Sequence, residues 1–119
     1  MDKRIFGAED GIDEEGCLLI YDNDQNFYRL VLDTFLKEIT KTVKDMAAAF
    51  SAGDIEGYRI LVHGLKGSGG SVGAKALVEM ATISNELIKE GKWDEAAVYH
   101  EPILNELERL IRMIPERLS

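Results

Sequence analysis

With 119 residues, 45% of them apolar and only two prolines, the chain has material for one compact core and too little for two. Its 22 Asp and Glu against 14 Lys and Arg leave a net charge of −8, which opposes contact with a phosphate backbone and sets nucleic acid aside as a partner. The single cysteine, Cys17, makes no internal disulfide, and the two histidines, His63 and His100, make no zinc-type cluster. No run of about 18 apolar residues is present to span a bilayer and residues 1–7 carry no secretory leader, so a cytoplasmic protein without a membrane partner is expected.

Apolar residues recur at helical spacing in every segment and never in strict alternation, so the fold class is all-α. Residues 1–10, with Gly7 among them and Gly11 after, read as a flexible lead-in to a single domain covering 1–119. Asp13 then caps a short helix running through Glu14 and Glu15 to Leu18 and Leu19. After Asp22-Asn23-Asp24 comes the longest element, whose stripe is Phe27, Leu30, Val31, Phe35, Ile39, Val43, Met46 and Phe50, ending at Ser51-Ala52-Gly53.

Asp54 is the N-cap of the next helix, with Tyr58, Leu61, Val62, Leu65 and Val72 on one stripe and a stop near Ser71 to Gly73. A further helix carries Leu77, Met80, Ala81, Ser84, Leu87 and Ile88 and stops at Gly91. Trp93, Asp94 and Val98 fit a hydrophobic staple around an N-cap, leading to Ile103, Leu104, Leu107, Leu110, Ile111 and Ile114. Pro102 either kinks this last segment or restarts it from a first turn. Four long amphipathic segments joined by short connections must lie antiparallel, which predicts an up-and-down four-helix bundle with a short additional N-terminal helix.

At about 100° per residue, His63 points roughly 140° away from the apolar stripe of its own helix, toward water. Lys66 at i+3, Gly67 at i+4, Gly70 at i+7 and Arg59 at i−4 share that outward face. A glycine inside a helix is unfavourable by about 1 kcal/mol relative to alanine, so two of them beside one exposed imidazole signal the close approach of something large. A lysine one turn away compensates negative charge placed on the ring, as a phosphoryl group would.

The stretch His63-Gly64-Leu65-Lys66-Gly67-Ser68-Gly69-Gly70-Ser71-Val72-Gly73-Ala74 resembles the histidine-containing phosphotransfer family, whose signature is a histidine followed by x-Leu-Lys-Gly-Ser and a Gly-Ala a few residues later. The likeness extends to Gly11-Ile12-Asp13, to Phe27-Tyr28-Arg29-Leu30 through Phe35-Leu36, to Gly53-Asp54 and to Leu87. Gly64 and the extra Gly69 and Gly70 depart from it. The resemblance implies that His63 is the phosphoacceptor, that Lys66 stabilises the phosphate, and that Gly67 lets the partner's active site reach the ring. Arg59 and Gly70 are added to that surface from helical spacing. The implied partner is the receiver domain of a response regulator or hybrid sensor histidine kinase, which would bring Mg²⁺; this chain would be a monomeric carrier with no metal or cofactor of its own and no enzyme by itself.

Two other readings stay open at this point: a phosphoacceptor domain at the head of a chemotaxis-type histidine kinase, and an interaction bundle in which His63 is silent and the glycines serve helix packing. A phosphate-binding loop at Gly67–Lys75 fails on spacing, because Ala74 and Val72 stand where Lys and Gly would be needed. His100 reads as a surface residue, Cys17 as a small core hydrophobe, and Phe27, Phe35, Phe50, Met46 and Met80 as core. The acidic residues read mostly as a solvated surface and not as paired carboxylates for acid–base work.

Overall fold

The computed structural model describes residues 3–119 and contains, among them, six α-helices, a 3-10 turn at Ala8–Asp10 and no strand. The helices are α1 (Glu14–Ile20), α2 (Gln25–Ala52), α3 (Ile55–Val72), α4 (Lys75–Lys89), α5 (Trp93–Ala97) and α6 (His100–Leu118). Side-chain carboxylates cap three of them: Asp13 accepts from the Gly16 amide, Asp24 from Phe27 and Asp54 from Gly57. Gly53 and Gly73, both left-handed with φ of 69° and 82°, close α2 and α3. Each then leaves one residue before the next helix, so consecutive helices fold back on each other. The four long helices close a ring in which α3 packs on α2 and α4, and α6 packs on the same two. This is the expected bundle, 49 Å long and 23 by 22 Å across. Its core is built from stripes such as Leu32, Phe35, Ile39 and Met46 of α2 and Ile103, Leu107, Leu110 and Ile114 of α6.

Several expectations are corrected. The described part of the lead-in is an ordered arm, with Ile5, Phe6 and Asp10 all buried; Met1 and Asp2 lie outside the described residues. Two acidic residues hold it and are no part of a solvated surface. The buried Glu14 carboxylate accepts the Ile5 and Phe6 amides at 2.9 to 3.0 Å, and Asp10 makes a two-pronged pair with Arg117 at 2.9 and 3.0 Å. A short apolar pair followed by a glycine carries no periodicity, so only its docking partners reveal its order.

The last segment divides. Lys92 stands at the N-cap position of α5 without a side-chain capping bond, Asp94 sits inside the first turn, and Val98 is 71% exposed, so no staple forms. Pro102 falls in the first turn of α6, where its missing N–H costs nothing, and the helix restarts there. On α2 the buried stripe starts at Tyr28 and Leu32, which leaves Phe27 46% and Leu30 65% exposed. His100 is buried too. It continues the α6 stripe three residues before Ile103, stacks on Phe50 at 3.9 Å between ring centroids and shares a 2.8 Å hydrogen bond with Tyr58 through Nδ1. That spacing was readable in the sequence; its polar label hid it.

Candidate functional site: the open face of α3

α3 carries six glycines and serines in its last nine residues, a composition that does not sustain a helix on propensity alone. Tertiary contacts sustain it. The last four carbonyls of a helix lack intrahelical partners, and here each is satisfied. Gly69 accepts from the Gly73 and Ala74 amides, and Gly70 from the Gly73 amide, with Cys17 Sγ 3.9 Å away. Tyr21 Oη donates to Ser71 and Tyr28 Oη to Val72, each at 2.7 Å. Burial pushes the Tyr28 hydroxyl well above the ordinary tyrosine range, so it stays a donor. Asp13, whose amide donates to the Gly73 carbonyl at 2.9 Å, ties α1 across the same end.

The glycines separate into two kinds. A Cβ on Gly69 would lie 3.0 Å from Val78 Cγ2, and one on Gly73 would lie 2.7 Å from the Asp13 carbonyl oxygen. Those two glycines allow close helix packing and a tight turn. A Cβ on Gly64, Gly67 or Gly70 would meet nothing within 4 Å. Nothing inside the molecule requires glycine at these three positions.

His63 is exposed on this bare stretch, while Tyr58, Val62, Leu65 and Val72 of the same helix are buried. Gly67 and Gly70 are exposed beside it, and the half-buried Lys66 makes no ion pair among the described residues. Arg59 shares the face, as its spacing predicts, but its guanidinium is taken: Nε and Nη2 donate to the Glu56 carboxylate at 3.1 and 2.7 Å. Sequence reasoning missed Glu56, although an i, i+3 acid–base pair is a visible signal.

It also missed the apolar surround. Leu19 and Ile20 of α1, Phe27 and Leu30 of α2 and Ile60 of α3 are large, apolar and between 46% and 74% exposed. Phe27, Leu30, Val31 and Thr34 line a groove against Ser68 and Ser71 of α3. Ile20 lines another with Cys17, Gly70 and Val78. The bare face of α3 is therefore a ridge between two apolar grooves. Exposed apolar residues such as Ile20, Phe27 and Leu30, lining grooves on either side of one helix, mark an interaction surface.

Among the described residues no helix is long and apolar enough to cross a membrane. The family model for the Hpt domain matches residues 30–113. Among solved structures, the crystal structure of histidine-containing phosphotransfer protein B (HptB) from Pseudomonas aeruginosa PAO1 is similar to this chain, with a TM-score of 0.77, 23% sequence identity and coverage of 91% of this chain and 95% of that one. No curated protein matches the sequence.

Proposed function

The chain belongs to the Hpt domain family, a histidine phosphotransfer intermediate of two-component phosphorelays, and we propose that His63 is its phosphoacceptor, Lys66 its phosphate-stabilising cation, and Gly67 and Gly70 the clearance for a receiver domain. One observation carries this reading: the exposed His63 stands on a helix face where Gly67 and Gly70 have no internal reason to be glycine.

The transfer is chemically simple. A lone pair on one imidazole nitrogen attacks the phosphorus of an aspartyl phosphate in line with the bond to the carboxylate. The P–O bond breaks, the carboxylate leaves with the electron pair, and the ring loses the proton on its other nitrogen. Reversal on a second receiver delivers the group onward. Such a reaction needs positioning and charge neutralisation more than covalent machinery. Lys66 contributes one charge from this side; the acidic pocket and Mg²⁺ belong to the receiver. On this reading the chain acts as a monomeric carrier within one domain, and the apolar grooves beside α3 seat the partner.

The silent-bundle alternative loses its main support, since a Cβ at Gly67 or Gly70 would meet no atom of a neighbouring helix within 4 Å. The test is phosphotransfer from a panel of phosphorylated receiver domains to the parent chain and to His63→Gln. The parent is expected to accept and the variant to fail with unchanged thermal stability, because an exposed side chain contributes little burial. Phosphate on His100, or retained labelling of His63→Gln, would reject the assignment.

A further inference from the structure

Viewed down α3, the residues that share the direction of His63 form a ladder of charge: Glu56 at i−7, Arg59 at i−4, His63, then Lys66 at i+3. The lower two rungs are already joined by the two-pronged hydrogen bond between Arg59 and Glu56. Each partner strengthens the other's charge: the guanidinium holds the Glu56 carboxyl below the usual carboxylate range, and the carboxylate raises Arg59 further. In the unmodified protein the Arg59 charge is therefore committed away from the imidazole.

Phosphorylation changes the competition. Helical side chains lean toward the N-terminus of the helix, so a phosphoryl group on His63 sits over the turn that carries Arg59. It brings close to two negative charges and three acceptor oxygens, against one charge and two oxygens on Glu56. A guanidinium fork fits either anion. Glu56 is exposed and lies in the first turn of α3, where the helix N-terminus favours a carboxylate, so it keeps support after losing Arg59.

Resting on the assignment of His63 as phosphoacceptor, we infer that Glu56 is a positioning residue for the phosphohistidine: it competes with the phosphoryl group for Arg59, holding the guanidinium back before transfer and weakening its hold on the phosphate afterwards. The consequence suits a carrier. Full engagement of Arg59 would trap the group on His63, whereas a competing carboxylate keeps onward transfer near balance.

The test uses the full chain, labelled with phosphoramidate as a small nitrogen-linked phosphodonor, in the parent, Glu56→Gln, Arg59→Gln and the double variant. The readout is the pH midpoint of the phosphohistidine ³¹P shift at low salt, together with the Arg59 Nε–Hε resonance. A cation engaged with the phosphoryl group favours its dianion and lowers the midpoint. Glu56→Gln is expected to lower it by about 0.3 to 0.7 unit, a two- to fivefold change in proton affinity, and Arg59→Gln to raise it. In the Arg59→Gln background the Glu56 change should have no effect, and the Arg59 resonance of the parent should move on labelling. A Glu56 effect that persists without Arg59 would mean direct repulsion of the phosphate and overturn the inference, as would an unmoved Arg59 resonance in a chain labelled on His63. Labelling elsewhere than His63 overturns the site assignment first and this inference with it.

Discussion

Substitution of Gly67 should make the protein more stable and less active. Gly67 lies inside α3 with helical neighbours on both sides and open space where a Cβ would be built. Gly67→Ala therefore gains helix propensity, about 1 kcal/mol, with no clash to offset it. At about 2.1 cal/mol/K per residue the unfolding entropy of a 119-residue chain is about 250 cal/mol/K, so the gain corresponds to a Tm rise of about 4 °C. Gly67→Gln, with a smaller propensity advantage, should rise about 2 °C. The same glutamine projects from the ridge one turn from His63, where the receiver must approach to reacting distance, and should slow transfer by about tenfold or more. Gly69→Ala is the control: its Cβ would press on Val78 Cγ2 at 3.0 Å, so overpacking cancels the propensity gain and Tm should stay at or below the parent. Thermal unfolding followed by circular dichroism, paired with a transfer time course from a phosphorylated receiver, reads both quantities. Parental transfer rates in Gly67→Gln, or a lower Tm in Gly67→Ala, would refute the argument.

Three further outcomes are expected. Lys66→Ala should slow phosphorylation of His63 by about tenfold at most, because the pair is screened by water, and Arg59→Ala/Lys66→Ala should slow it further; time courses at low and high salt would show the difference shrinking as salt rises. His100 is held below the ordinary histidine pKa by burial against Phe50 and Tyr58, so the unfolded chain binds its proton first and stability should fall as pH drops below about 6.5 toward the lower folded value. Urea unfolding above and below that pH should show less acid sensitivity in His100→Phe. Asp10→Ala removes the anchor of the N-terminal arm; since Arg117 is about a third exposed and can be rehydrated, the loss should be about 1–2 kcal/mol. Hydrogen exchange should then speed up at the Gly7 amide, which donates to Asp10 at 2.8 Å, before it does in the bundle.

Periodicity and punctuation carried most of the fold, because caps and stripes are local. Asp13, Asp24 and Asp54 cap α1, α2 and α3, Gly53 and Gly73 close α2 and α3, and the apolar spacing of four long segments leaves an antiparallel bundle as the way to bury them. His63 was legible for the same reason: one helix projection places it opposite its own buried stripe and sets Arg59, Lys66, Gly67 and Gly70 beside it. Tertiary structure decided everything that depends on residues far apart in the chain. Ile5, Phe6 and Asp10 are ordered because distant residues meet them, Glu14, Tyr28, Arg109 and Arg117 among them, and α3 stays helical to Val72 because Tyr21 and Tyr28 reach its last carbonyls. Glycine itself reads the same at every position. Only the packing around it separates Gly69 and Gly73, which neighbouring atoms require, from Gly64, Gly67 and Gly70, which face open space, because the difference lies in atoms brought within 4 Å by other segments of the chain.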